Sequence, residues 1–149
     1  MTITAPPGAV TARAPAKVNL LLEVGPRRDD GFHDLVTVFQ ALSLVEDVTA
    51  VPAERFALTL EGVDGLDVSG VPLDAGNLAL RAARLLAERA GVGDRVHLHV
   101  RKGVPVAGGM AGGSADAAAA LVACDALWQL HLGLDELATL AAELGSDVP

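Results

Sequence analysis

The chain has 149 residues, a net charge of −8 and an apolar content of 51%. This length corresponds to about one domain, and the apolar fraction can build a hydrophobic core, which excludes an intrinsically disordered chain. The acidic balance argues against nucleic acid and anionic membranes as partners, because both require a basic surface. An anionic ligand would have to be held locally by backbone amides and a few basic side chains.

The single cysteine, Cys124, cannot form an internal disulfide, which fits a reducing cytoplasm. It lies in an Ala-rich run and is expected to be a small core residue rather than a nucleophile. Residues 1–10 lack the basic and apolar segments of a signal peptide, and residues 117–134 are too polar and too short to span a membrane. We therefore expect a cytoplasmic protein without a membrane partner.

Hydrophobic patterning predicts β-strands in the first half of the chain. Residues 1–9 are rich in Pro, Gly and Ala, so we expect a flexible N-terminus, followed by one domain over residues 10–149. The patterning then predicts one or two strands at residues 10–24, a turn at 25–31 and a returning strand at 32–44. Two short strands follow at residues 47–52 and 56–61.

Midway along the chain the apolar period changes to that of a helix. Residues 77–90 predict a helix that Asp74 or Asn77 can cap at its start and Gly91 can close at its end. The patterning next predicts a strand at residues 95–101, a Gly-rich loop at 102–113, and two helices at 114–130 and 134–144. This order indicates an α+β domain, with the helices on one face of a mixed sheet.

Two histidines, His97 and His99, alternate with apolar residues in the predicted strand. They would lie on one face of the strand together with Arg95 and Arg101. No carboxylate or cysteine cluster stands nearby, so a solvated strand face is a better interpretation than a zinc site.

The clearest chemical signal comes from residues 105–115, PVAGGMAGGSA, which follow a predicted strand and open a predicted helix. Glycines permit positive φ and close approach of the backbone to a ligand. The first amides of a helix have no partner within the helix and attract phosphate. Ser114 can cap this helix, or offer its hydroxyl to a phosphate or to Mg²⁺.

Glycine content alone leaves a flexible loop with a capped helix as an equal alternative. A P-loop requires a Lys directly before the Ser or Thr, and none precedes Ser114. The dinucleotide fingerprint Gly-x-Gly-x-x-Gly is also absent. Phosphate binding would therefore use neither of the two common motifs.

The extended loop PVAGGMAGGSADAAAAL resembles the phosphate loop of the GHMP kinases, which include galactokinase, homoserine kinase and mevalonate kinase. Three further segments resemble the diphosphocytidyl-methylerythritol kinases within that class, namely APAKVNLLL at residues 14–22, Gly31-Phe32-His33, and GSDVP at residues 145–149. The four segments occur in the order and spacing of the family.

This resemblance implies the fold of a GHMP-kinase N-terminal domain (ribosomal protein S5 domain 2-like). It implies phosphorylation by ATP with Mg²⁺ of the 2-hydroxyl of diphosphocytidyl-methylerythritol, in non-mevalonate isoprenoid synthesis. The alternatives are another GHMP small-molecule kinase and a non-catalytic nucleotide-binding fragment.

The resemblance also assigns roles to single residues. Asp147 would be the general base, Lys17 its electrostatic partner, and Asn19, on the same strand face as Lys17, would contact the substrate. Phe32 would stack on the cytosine ring and His33 would hydrogen-bond to it. From the residues alone, Asp147 would cap a turn, Lys17 would lie on the surface and Phe32 would belong to the core.

On the nucleotide side, the resemblance implies ATP contacts from the loop and from two residues outside it. These residues are Pro105, Val106, Ala107, Gly108, Gly109, Met110, Ala111, Gly112, Gly113, Ser114 and Ala115, with Asn77 and Lys102.

Several positions depart from the family pattern. Ala115 replaces a Ser, Met110 a Leu, Ala111 a Gly and Phe32 a Tyr. The kinases of the family are also longer than this chain. We therefore expect a fragment that lacks the C-terminal domain and has little or no activity alone.

Overall fold

The computed structural model describes residues 8–29 and 31–149. Four strands and three helices are present in these residues: β1 Val10–Arg27, β2 His33–Ala53, β3 Ala57–Gly62, α1 Leu78–Ala90, β4 Arg95–Lys102, α2 Gly112–Leu127 and α3 Leu134–Leu144. Most of the predicted flexible N-terminus, and Asp30 in the predicted turn, lie outside the described residues.

The strands form one sheet in the order β1-β2-β4-β3. β1 and β2 are an antiparallel hairpin, β4 pairs antiparallel with β2, and β3 runs parallel to β4. The sheet is therefore mixed, and the predicted α+β class is confirmed.

The helices cover one face of this sheet, because apolar residues alternate along the strands. In β4, Val96, Leu98 and Val100 are buried in the core. His97 and His99 point to the other face, where both rings lie within hydrogen-bonding distance of Thr59 Oγ1, at 3.1 and 2.9 Å. Among the residues that the structure describes, no group of three His, Cys, Asp or Glu side chains could hold a metal ion.

Helix α2 lies at the centre of the domain, as its apolar composition predicts. Its alanines are small enough for α1 and the sheet to approach closely, and most of them are buried. Cys124 is fully buried, and this burial raises the pKa of its thiol to about 12. The interpretation of Cys124 as a core residue is confirmed.

Both ends of α1 follow the sequence prediction. Asn77 is the N-cap, and its side-chain oxygen accepts a hydrogen bond from the amide of Ala79 at 2.9 Å. Gly91 ends the helix in the left-handed conformation with φ 66°.

Some predicted boundaries are wrong. The strands predicted at residues 32–44 and 47–52 are one strand, β2, which pairs with β1 along most of its length and with β4 along its second part. The second helix begins at Gly112 rather than Ser114, and its N-cap is Ala111, which offers no side-chain hydrogen bond. Ser114 therefore does not cap α2, since it already lies in the first helical turn.

Candidate active site

The loop between β4 and α2 has an unusual backbone. Ala107, Gly109 and Ala111 have φ of 58°, 72° and 57°, in the left-handed region. Two of these residues are alanines, which adopt this conformation only at a cost. The Lys17 amide donates a hydrogen bond to the Met110 carbonyl at 3.3 Å, so β1 holds the tip of the loop.

The loop leads into the N-terminus of α2, where no side chain caps the helix. The first amides of the helix are therefore available to a ligand, and the helix dipole favours an anion there. Ser114 places its hydroxyl in this first turn. Ala115 is buried and lacks the hydroxyl that the family pattern carries at this position.

One side of the loop borders a cavity of about 420 Å³. Its walls are the loop, the start of α1 and residues 70–72, together with Asn77, Lys102 and Asp116. The structure thus brings most of the predicted ATP-side residues together around one cavity. The two exceptions are Ser114 and Ala115, which border a second cavity.

Lys102 has buried partners in this wall. Its Nζ lies 2.8 Å from Glu46 Oε1 and 2.6 Å from Asp116 Oδ2, and all three side chains are buried. Glu46 Oε2 also accepts a hydrogen bond from the amide of Gly103, at 3.1 Å. We call Glu46, Lys102 and Asp116 the buried charge network.

Burial dominates the ionisation of this network. It raises the pKa of Glu46 to about 7, although the hydrogen bond from Lys102 opposes the rise. Burial likewise raises the pKa of Asp116 against the attraction of Lys102. For Lys102, burial acts to lower the pKa, but the two carboxylates outweigh it and the pKa is raised.

Sequence reasoning missed Glu46 and Asp116. Each had a recognisable signal, because each is an acidic residue in a position that the surrounding pattern makes core-facing. Glu46 interrupts the apolar run of β2, and Asp116 stands among the alanines of α2. A buried charge requires a partner, and Lys102 at the end of β4 was the candidate.

The second cavity, of about 380 Å³, lies on the other side of the α2 N-terminus. Lys17, Phe39, Ser114 and Asp147 line it. Lys17 Nζ lies 3.4 Å from Asp147 Oδ2 and donates a hydrogen bond to Asn19 Oδ1 at 2.9 Å. The structure therefore brings together Asp147, Lys17 and Asn19, the residues predicted as base, cation and one of the substrate contacts.

The segment that carries Asp147 is anchored to the rest of the domain. The neighbouring Val148 is buried in the hydrophobic core, and its amide donates a hydrogen bond to the Gly145 carbonyl at 3.2 Å. These contacts fix the segment that carries Asp147 beside β1.

The structure does not bring Phe32 and His33 to this cavity. Both lie at the tip of the β1–β2 hairpin, where His33 pairs with Arg27, roughly 30 Å of extended strand beyond Lys17. Phe32 is 71% exposed, so its interpretation as a core residue is wrong. His33 Nδ1 lies 2.8 Å from the Gly25 carbonyl oxygen.

Comparison with known proteins agrees with this geometry. Residues 77–149 match the family model described as GHMP kinases N terminal domain. The crystal structure of a 4-(cytidine 5'-diphospho)-2C-methyl-D-erythritol kinase superposes with a TM-score of 0.70 and 40% identity, over 93% of this chain and 47% of that one. A homoserine kinase from Cytophaga hutchinsonii shares the fold at 18% identity, with a TM-score of 0.66, over 97% of this chain and 43% of its own.

The fold and the loop at the start of α2 define the N-terminal domain of a GHMP kinase, and the chain belongs to that family. Within it, the chain is 78% identical to the 4-diphosphocytidyl-2-C-methyl-D-erythritol kinase of Kineococcus radiotolerans over 97% of its own length. It is 57% identical to that of Leifsonia xyli over 95% of its length. The chain spans 45% and 46% of the lengths of these two relatives.

None of the helices in the described part of the chain is long and apolar enough to cross a membrane.

Proposed function

We propose that this chain is the ATP-binding half of a kinase that phosphorylates the 2-hydroxyl of 4-diphosphocytidyl-2-C-methyl-D-erythritol, in isoprenoid precursor synthesis. The observation that carries the proposal is the position of two cavities on either side of one helix N-terminus. Ala111 lines both of them, so a phosphate donor in one and an alcohol in the other would meet at the first turn of α2.

In this proposal the first cavity takes ATP. The loop backbone and the free amides of α2 would hold its phosphates, and the Ser114 hydroxyl would donate to a phosphate oxygen. Such preorganised donors stabilise the charge that develops on a transferred phosphoryl group.

Mg²⁺ would accompany the nucleotide. Magnesium in kinases is commonly held by the phosphates, water and only one or two carboxylates, which fits a site without a dedicated group of acidic ligands among the described residues. It would neutralise phosphate charge during transfer.

The second cavity takes the alcohol. Asp147 would accept the proton of the 2-hydroxyl while the hydroxyl oxygen forms a bond to the γ-phosphorus of ATP. The bond from that phosphorus to the β-phosphate oxygen would break at the same time, and ADP would leave. Lys17, 3.4 Å from Asp147, would stabilise the negative charge that develops on the attacking oxygen. Asn19 fixes the Lys17 amine and is itself bound to Thr37 Oγ1 at 2.7 Å.

A diphosphocytidyl group is shorter than the roughly 30 Å of strand between Lys17 and the hairpin tip. The proposal therefore requires the hairpin to bend its tip toward this cavity, at the register shifts of β1 between Asn19 and Leu21 and between Val24 and Arg27. Phe32 and His33 at the hairpin tip would receive the cytosine, the ring by stacking and the imidazole by hydrogen bonding. The position of Phe32 at the hairpin tip and its exposure of 71% support this.

Turnover is best tested in a chimera in which this chain replaces the matching part of the Kineococcus relative. We expect ATP-dependent phosphorylation of diphosphocytidyl-methylerythritol, with homoserine and mevalonate as the competing substrates. Preference for either competitor would contradict the substrate. ATP binding without turnover of any alcohol would favour a non-catalytic nucleotide-binding role.

A further inference from the structure

The buried charge network has no part in the chemistry proposed above, yet it lies directly beneath the phosphate loop. Glu46, Lys102 and Asp116 are 0%, 3% and 3% exposed. Lys102 and Asp116 line the ATP-side cavity, so the network forms part of its wall.

The network closes the two ends of the loop. Lys102 is the last residue of β4, before the loop begins, and Asp116 lies one turn inside α2, after the loop has ended. Their 2.6 Å contact therefore joins the start and end of the loop. Glu46 anchors this joint to the neighbouring strand, because it pairs with Lys102 in the sheet and accepts from the Gly103 amide.

Glu46 also reaches the start of α2. A Cβ atom on Gly112 would lie only 2.9 Å from Glu46 Oε1, closer than real Cβ contacts allow. The carboxylate therefore lies against the same turn that would bind phosphate, and its position and charge act on that turn directly.

The charges of the network do not balance. Two carboxylates and one ammonium carry a net charge of −1 in a space without solvent, which is costly. Asp116 Oδ1 is buried and has no hydrogen-bond partner. One additional proton would neutralise the network.

Few other charged groups lie close to the buried charge network. From β1, the residue opposite Glu46 is Ala14, and β4 and α2 contribute Lys102 and Asp116. Asp47, next to Glu46 on β2, faces the other side of the sheet, where its partners are Arg13 at 2.6 Å and Arg101 at 3.7 Å. The network therefore titrates as one unit, separate from the surface charges.

We propose that Glu46, Lys102 and Asp116 position the phosphate loop and take up a proton when the phosphates of a nucleotide bind to it. Glu46 and Asp116 are positioning residues, since they act through Lys102, Gly103 and the first turn of α2. This inference rests on the proposed nucleotide site, but not on the identity of the alcohol.

The uptake of a proton on nucleotide binding follows from electrostatics. Burial places the pKa of Glu46 at about 7, so the network is partly protonated at neutral pH. Negative phosphate charge beside the network favours its protonated form. A rise of about one unit in that pKa at pH 7.5 corresponds to uptake of about half a proton per ATP.

Calorimetric titration of the chain with Mg²⁺ and ATP at pH 7.5, in buffers of different ionisation enthalpy, measures this uptake. We expect about half a proton in the unmodified chain and close to none in Glu46→Gln and Asp116→Asn. Asp116→Asn retains an oxygen for Lys102 and puts its nitrogen where Oδ1 has no partner, so it should fold even if Glu46→Gln does not. The exposed Glu54→Gln is the matched control and should behave as the unmodified chain.

The ligand-free chain gives a second measurement. Its carboxyl ¹³C resonances should include a group that titrates near pH 7, and this titration should be absent from both network variants. Ordinary titration of every carboxyl below pH 5 would overturn the proposal. ATP binding without proton uptake, or with equal uptake in the variants, would overturn it and leave the nucleotide site intact. No ATP binding would overturn both.

Discussion

Lys17 and Asp147, at nearly opposite ends of the chain, are brought to 3.4 Å by two separate anchors. The backbone of Lys17 is held by the Met110 carbonyl in the loop, and Asp147 is held by the burial of Val148 beside it. The proposed base and cation are thus positioned relative to the proposed phosphate loop by the backbone and core, independently of their own ion pair.

Replacing Asp147 by Asn should abolish turnover without abolishing binding. The amide cannot accept the hydroxyl proton, and loss of a general base typically lowers the rate by about 10²–10⁴-fold. Steady-state kinetics and ATP titration of the chimera measure both properties, with the exposed Asp135→Asn as control. A rate within a factor of ten of the unmodified chimera would contradict the assignment of Asp147 as base.

Adding a methyl group at Gly112 should weaken ATP binding at least tenfold, or over about 1.4 kcal/mol. The new Cβ would lie 2.9 Å from Glu46 Oε1 and 3.2 Å from Val104 Cγ1, so either the start of α2 or these buried side chains would have to move. Gly113→Ala is the control, because its Cβ would make only an ordinary contact of 3.7 Å with Leu78. Equal affinities of the two variants would show that Glu46 does not set the shape of this turn.

Replacing Ala111 by Gly should stabilise the domain by up to about 1 kcal/mol. Ala111 has φ 57°, a conformation that costs an alanine about 1–2 kcal/mol, partly offset by the greater freedom of glycine in the unfolded chain. Ala118→Gly, within α2, should instead destabilise it by about 1 kcal/mol. Urea unfolding of both variants provides the comparison, and a change of the same sign in both would refute the strain at Ala111.

Truncating Phe32 to Ala should weaken the diphosphocytidyl substrate roughly 5- to 150-fold, because stacking of one base is worth about 1–3 kcal/mol. ATP affinity should not change. Stability should stay within about 0.5 kcal/mol, since Phe32 is 71% exposed. Leu35→Ala, another exposed apolar truncation on the hairpin, serves as control. A loss of stability without a loss of substrate affinity would return Phe32 to a structural role.

The free energy of unfolding should fall as pH rises from about 4.5 to about 7. Burial raises the pKa of Glu46 to about 7 in the folded chain, so the folded state binds a proton more firmly than the unfolded state across this window. The decrease in the free energy of unfolding should end above the pKa of Glu46 in the folded chain, and the decrease should be smaller in Glu46→Gln. Urea unfolding at several pH values measures it. A variant with the same pH profile as the unmodified chain would contradict the shift.

Local patterns in the sequence were sufficient for the fold class, for the ends of α1 and for the buried role of Cys124. They failed where tertiary contacts decide the outcome. Glu46 reads as the end of a strand, yet β2 continues through it because Lys102 compensates its charge. Likewise, α2 begins directly after Ala111 because contacts around the loop hold this residue in the left-handed conformation, which is costly for alanine.

The site residues divide in the same way. Motif resemblance pointed to Lys17 and Asp147, and the structure places them side by side. Glu46 and Asp116 belong to no motif, and their meeting with Lys102 depends on the register of β2 against β4. Pairing between distant segments of this kind cannot be read from local periodicity.

The strand order of the sheet has a consequence for synthesis on the ribosome. β2 and β3 follow each other in the chain but are separated in the sheet by β4, which is made after α1. The β1–β2 hairpin can form early, since its contacts are local, but the inner edges of β2 and β3 stay unpaired until residue 102 has emerged. Lys102 is the last residue of that central strand, so the nascent sheet is completed at the position where the phosphate loop begins.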